Sequence, residues 1–217
     1  MNMAVASENE YKGVKVNELN SKNELIAVIN SIVPNVLTNK NVVYLCIGTD
    51  RITGDSLAPF VGTYLTGLGY KNVYGTIDNP VHAKNLEETI NIIPSNKTII
   101  AIDASLGELS DVEKISFIKG SIKPGAGVGK DLGETGDYGI HGCVNVHKEG
   151  FEYMSLMNTR LSVVIKMAKD IASALIERFP LTETQSAENA KKFVSRAKNE
   201  NIVNRLKKKG YNAKLTK

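Results

Sequence analysis

The spacing of apolar and polar residues divides the chain into segments of contrasting period. From Val16 to Leu37, Leu19, Leu25, Ile26, Ile29, Ile32 and Val33 recur three, four and seven residues apart, which predicts one amphipathic covering helix over about 16–37. Val42-Val43-Tyr44-Leu45-Cys46-Ile47-Gly48 is then apolar without interruption and rich in β-branched residues, and a second such run spans Thr98 to Asp103. Unbroken runs predict strands buried on both faces, the pattern of a parallel sheet covered by helices. Between them, Ser56 to Leu68 and Ala83 to Ile92 carry helical spacing, and Asn72 to Ile77 reads as a strand. The order β-α-β-α-β calls for right-handed crossovers. Val112 to Ile122 and Ile140 to Val146 add two strand candidates, and Tyr153 to Phe179 reads as one long helix with Val164, Ala168, Ile171 and Leu175 on its buried face. The fold class expected is α/β, a three-layer α/β/α sandwich with a mostly parallel central sheet.

Pro180 breaks the last helix. Residues 1–180 are expected to form a single domain and residues 181–217 a basic tail, helical or flexible, because a chain of 217 residues needs only one core. Charge separates the two parts. The tail carries ten Lys and Arg against three Glu, which leaves 17 basic and 20 acidic residues in the body. An acidic body gives no electrostatic support to nucleic-acid binding, and the tail is read as a solvated appendage. Cys46 and Cys143 lie in apolar runs without CxxC or Cys/His spacing, so they read as reduced core residues of a cytoplasmic protein. No apolar run approaches a membrane span and residues 1–12 lack the layout of a signal peptide, so no membrane partner is expected.

In open parallel sheets ligands bind outside the carboxyl ends of the strands, so the residues just past each apolar run are the candidates for chemistry. Asp55 follows the first run at the start of a helix, and Asp103 closes the third strand. Two carboxylates at adjacent strand ends can share a water and divide the acid and base roles, since repulsion raises one pKa. A plain N-cap is the competing reading of Asp55. His82, just past the second strand, either completes an Asp/Asp/His set for a divalent metal such as zinc or nickel, or is an ordinary helix-start residue. His141 and His147 lack any HExxH context and read as structural. Gly48, Thr49 and Asp50 open the first connection and, with His82, are candidates for substrate contact. Pro124, Gly125, Gly127 and Gly129 lie in a long loop suited to lining a site. That loop is not a phosphate loop, because Pro124 stands at the first glycine and Asp131 at the Ser/Thr position. Its glycines instead let backbone amides approach a substrate closely.

Three ordered motifs carry a family resemblance: Cys46-Ile47-Gly48-Thr49-Asp50-Arg51-Ile52-Thr53-Gly54-Asp55-Ser56-Leu57-Ala58-Pro59, then Ala101-Ile102-Asp103-Ala104, then Ile122 to Gly129. Together they resemble the YyaC family of sporulation proteins, a family regarded as spore proteases. They are similar to motifs of the spore germination protease and, in fold, of the hydrogenase maturation proteases. The resemblance covers roughly Asn41 to Phe179. It implies a hydrogenase-maturation-protease-like fold and places the germination protease's two essential aspartates on Asp55 and Asp103. Gly54 stands where that protease has proline, and Ala58 where it has glycine, and neither change removes a reactive group. The hydrogenase proteases grip nickel with a histidine beyond the second aspartate, whereas His82 precedes Asp103, so no metal or other cofactor is expected. The function implied is a sporulation-associated endopeptidase acting on a protein or peptide substrate in the cytoplasm of a spore-forming cell. The alternatives are a non-catalytic peptide- or protein-binding factor and a metal-dependent Asp/Asp/His protease. Oligomeric state is left open.

Overall fold

The computed structural model describes residues 15–125 and 133–182. The tail from residue 183 and residues 126–132, with Gly127 and Gly129, lie outside them. The chain divides into two compact units, Met1–Pro180 and Leu181–Lys217, and the described residues belong almost wholly to the first.

The two unbroken apolar runs form the centre of a sheet. β2 (Val42–Cys46) and β4 (Thr98–Gly107) pair in parallel from Val42↔Thr98 to Cys46↔Ile102. Every residue of β2 is buried, which is why the run shows no alternation. With β1 (Lys15–Leu19), β3 (Val73–Tyr74), β5 (Ile115–Lys119) and β6 (Tyr138–Val146) they build a six-stranded sheet of order β1-β5-β6-β4-β2-β3. The pairs β2/β3, β2/β4 and β4/β6 are parallel, and β5 runs antiparallel to both its neighbours. The expected mostly parallel α/β sheet flanked by helices is therefore present. α5 (Leu161–Arg178) packs against both α1 (Lys22–Ile32) and α2 (Leu57–Gly67) on one face. On the other face Leu86 of α3 (Leu86–Ile92), with Val81, Ile93 and Ile122, closes a core against Val43, Leu45 and Ile47. No helix among the described residues is long and apolar enough to cross a membrane.

Several expected boundaries move, each for a physical reason. The first helix does not span 16–37, because residues 15–19 form the edge strand β1 and α1 begins only after Ser21. Ser21 Oγ accepts the Glu24 N–H at 3.3 Å and the Glu24 carboxylate accepts the Asn20 N–H at 2.9 Å, a reciprocal cap that starts the helix there. It stops at Ile32 because Pro34 holds Val33 extended, at φ −88° and ψ 124°. The second strand shrinks to Val73–Tyr74, since Gly75, at φ 93°, turns the chain over Cys46, whose carbonyl would lie 1.8 Å from any added Cβ. The strand expected from Val112 starts only at Ile115, after a turn in which Glu113 has φ 71°. The long terminal helix is two: α4 (Glu152–Met157) and α5, separated by an extended Arg160.

The end of α5 is locked by aromatic side chains. Tyr44 meets Tyr70 and Phe179 edge-on, at centroid separations of 5.8 and 6.2 Å. The Tyr70 hydroxyl donates to the Phe179 carbonyl at 2.9 Å in a buried setting. Tyr70→Phe strands that acceptor, so urea unfolding should show a loss of about 1–3 kcal/mol. An unchanged midpoint would mean that water reaches the carbonyl.

Candidate active site

Asp103 owes its position to the unequal lengths of its neighbours. β2 ends at Cys46, opposite Ile102, while β4 continues alongside β6 as far as Gly107. Asp103 is thus the first β4 residue past the end of β2, inside a strand rather than closing it as expected. On the other side its register partner is His141 of β6. The side chain is 6 % exposed. One carboxylate oxygen, Oδ1, accepts the Ala104 N–H at 2.8 Å and the other, Oδ2, accepts the Gly125 N–H at 3.3 Å. Burial pushes its carboxyl well above the ordinary range, the charge of Asp55 pushes it further the same way, and the two N–H donors only partly offset this.

Asp55 is carried by a single 3₁₀ turn, Gly54–Ser56, between β2 and α2. The N-cap position of α2 is Ser56, so Asp55 is not the plain cap its sequence context allows. Two glycines set the turn in place. Gly48, at φ 148°, lies against the Asp55 carbonyl, which would stand 2.0 Å from a Cβ at that position. The same carbonyl accepts the Thr49 N–H at 3.2 Å. Gly54 is covered by Leu156 and Thr159, which would lie 2.9 Å from a Cβ there. The backbone of Asp55 is therefore held between the end of β2 and α4.

The two aspartates share a cavity of about 330 Å³ at the carboxyl ends of the parallel strands. Of the residues singled out for substrate contact, Gly48, Thr49, His82 and Gly125 line it too. Asp50 does not. It is exposed, and its carboxylate accepts the Thr49 hydroxyl at 3.4 Å. Pro124 is buried just before Gly125 and is not part of the lining, while Gly127 and Gly129 lie outside the described residues. A smaller hollow is lined by Asp55, Asp103, Ser105 and Leu156, so both aspartates border it as well. Among the described residues no three His, Cys, Asp or Glu side chains are arranged to hold a metal ion, and the Asp55/Asp103/His82 set does not form one. The His82 backbone N–H donates to Asn85 Oδ1 at 2.8 Å, so the residue opens the turn before α3.

The family model described as "Protein of unknown function (DUF1256)" matches residues 13–174, a span that includes both aspartates and the whole cavity lining. The chain belongs to this family. A Bacillus subtilis (strain 168) protein named "Uncharacterized protein YyaC" is 49% identical over 142 residues, which cover 63% of this chain and 68% of that relative. The YyaC relationship expected from the motifs is thereby shown. No solved structure matches the chain. Within the DUF1256 match the cavity also takes residues that the sequence reading missed: Ile47, Arg51, Ile52, Lys84 and Tyr153. Arg51 and Ile52 sit inside the first motif and Lys84 two residues past His82, so proximity to those candidates was an available signal. Nothing in the periodicity points to Tyr153, which enters through the tertiary placement of α4.

The raised pKa of Asp103 has a consequence for stability. Between the ordinary aspartate value of about 3.9 and the higher folded value, the native state holds a proton that the unfolded state has lost, so stability falls as pH rises across that window. Asp103→Asn removes this titration. The melting temperature of the variant relative to the parent should rise from about pH 4 to about pH 7, by about 2–4 °C for each kcal/mol the parent loses over that window. This comes on top of a constant offset, because the amide nitrogen of an asparagine at 103 cannot accept the Gly125 N–H. Thermal melts across that range check it, and a gap independent of pH would contradict the assignment.

Proposed function

We propose that this DUF1256 chain is a peptidase in which Asp55 and Asp103 activate water for attack on a peptide carbonyl. The observation that carries the reading is the buried Asp103 carboxyl, driven towards its neutral form beside a second carboxylate at the mouth of a cavity. Asp103 is then the acid and Asp55 the base. Water adds through its oxygen to the carbonyl carbon as Asp55 takes one of its protons and Asp103 protonates the carbonyl oxygen. Collapse of the resulting diol returns a proton to Asp103, passes the Asp55 proton to the leaving nitrogen and breaks the C–N bond, so the pair ends as it began. The Gly125 amide holds the acid in place through Oδ2. The motif resemblance to the spore germination protease supports a role in sporulation, with a protein of the spore-forming cell's cytoplasm as substrate.

The test is to incubate the full chain with a proteome-derived peptide library and to read new amino termini by mass spectrometry. The reading requires termini generated by the parent and absent with Asp103→Asn. No new termini from the parent, or the same set from both, would leave a binding protein on this fold.

A further inference from the structure

Large apolar side chains stand in solvent on the outer face of α4 and its flanks. Phe151 is 62 % exposed, and Tyr153, Met154, Met157 and Leu161 are each about half exposed. Met154 and Met157, three residues apart on α4, lie on a side of that helix away from the buried Leu156, and Leu161 opens α5 just beyond the extended Arg160. Single exposed apolar residues are ordinary, whereas a contiguous group marks an interaction surface. The group is held outward by a built scaffold. Asn145 Nδ2, at the end of β6, donates to the Ser155 carbonyl at 2.8 Å, and the Thr159 hydroxyl donates to the same carbonyl at 2.9 Å. At the other end the Glu152 carboxylate accepts the Gly150 N–H at 3.0 Å and pairs with His147 at 3.3 Å. Turning the apolar face inward would break these bonds.

Two features say what lies on this surface. Tyr153 belongs both to the exposed group and to the lining of the cavity that holds Asp55 and Asp103, so the exposed group reaches the edge of the cleft. The cavity also carries Arg51 and Lys84, both exposed, and the ion pairs found among the described residues involve neither. We infer that the α4 face docks an extended, unfolded polypeptide segment, apolar where it crosses Met154 and Met157 and acidic where it reaches Arg51 and Lys84. The inference rests on the peptidase reading, for which this segment is the substrate. A cavity of about 330 Å³ admits one or two side chains of an extended chain, whereas a helix about 10–12 Å across would not enter it. Methionine suits the task because its unbranched thioether adapts to varied apolar partners.

The probe is fluorescently labelled, reduced and carboxymethylated α-lactalbumin, an unfolded acidic chain, titrated with the full chain carrying Asp103→Asn so that cleavage does not consume it. Saturable binding is expected, weakened at least tenfold by adding Met154→Gln with Met157→Gln. Arg51→Gln with Lys84→Gln should weaken it as well and remove most of its salt dependence. Reduced, carboxyamidomethylated lysozyme, unfolded but basic, should bind more weakly. Absence of saturable binding, or binding that the methionine pair leaves unchanged, overturns the inference. So does a concentration-dependent dimer in sedimentation velocity that the methionine variant abolishes, since a second copy would then cover the face. The two readings fail separately. Binding as expected without any peptide cleavage by the parent sinks the peptidase, and cleavage without this binding sinks the docking surface.

Discussion

Asp55→Asn and Asp103→Asn are each expected to lower peptide turnover by about 10²–10⁴-fold, the range that a positioned acid or base contributes. An amide can neither take a proton from water, as Asp55 does in the proposed cycle, nor give one to the carbonyl oxygen, as Asp103 does, so either change stops the addition step. The two losses should not add in the double variant, because in the proposed cycle both carboxyls act in one addition step. The fold should survive in both. Asparagine nearly matches aspartate in shape, and an amide at 103 keeps an oxygen for the Ala104 N–H that Asp103 now accepts at 2.8 Å. Steady-state rates on a peptide taken from the library screen measure this. Turnover within tenfold of the parent in either single variant would show that the pair does not perform the chemistry.

Gly48→Ala should be almost as damaging while leaving both carboxyls in place. A Cβ at residue 48 would stand 2.0 Å from the Asp55 carbonyl and 3.2 Å from the Pro59 ring, at a φ of 148° that only glycine adopts freely. Relief requires the Gly54–Ser56 turn to lift from the end of β2, and Asp55 moves with it. Strain and overpacking together should cost about 2–4 kcal/mol, with turnover falling at least about 100-fold from a misplacement on the order of 1 Å. Urea unfolding and kinetics on the same preparation read the two effects. A variant that loses stability but keeps its rate would show that the position of Asp55 does not depend on Gly48.

The sheet centre was legible because burial on both faces writes continuous apolar runs, and Val42–Cys46 and Thr98–Ile102 are such runs. Asp55 and Asp103 were legible for a related reason, since parallel strands gather their carboxyl ends on one rim. Residues 104–107 were not readable as strand. Beyond Cys46 they pair only with β6, and Ala104-Ser105-Leu106-Gly107, with Leu106 the single large apolar side chain, carries no unbroken apolar signal. β1 was missed because Leu19, seven residues before Ile26, falls on the face that the following helix repeats, although Ser21 and Glu24 already marked where that helix starts. The break between α4 and α5 was not legible at all. Its cause is a contact between distant residues, Asn145 reaching Ser155 and Thr159, and the apolar period runs through it unchanged. The same contact brings Tyr153 to the cavity, so the wall of the site was hidden by the tertiary bond that hid the break.

The central claim is that burial, and after it the charge of Asp55, raises the Asp103 carboxyl well above its ordinary range. A ¹³C NMR titration of the aspartate side-chain carboxyls, with the Asp103 signal identified by its loss in Asp103→Asn, measures this directly. The Asp103 carboxyl should titrate well above the ordinary value of about 3.9, and in Asp55→Asn its midpoint should move down while staying elevated, because burial remains after the neighbouring charge is gone. A midpoint near 4 in the parent, or one that does not respond to the loss of Asp55, would contradict the shared-proton pair.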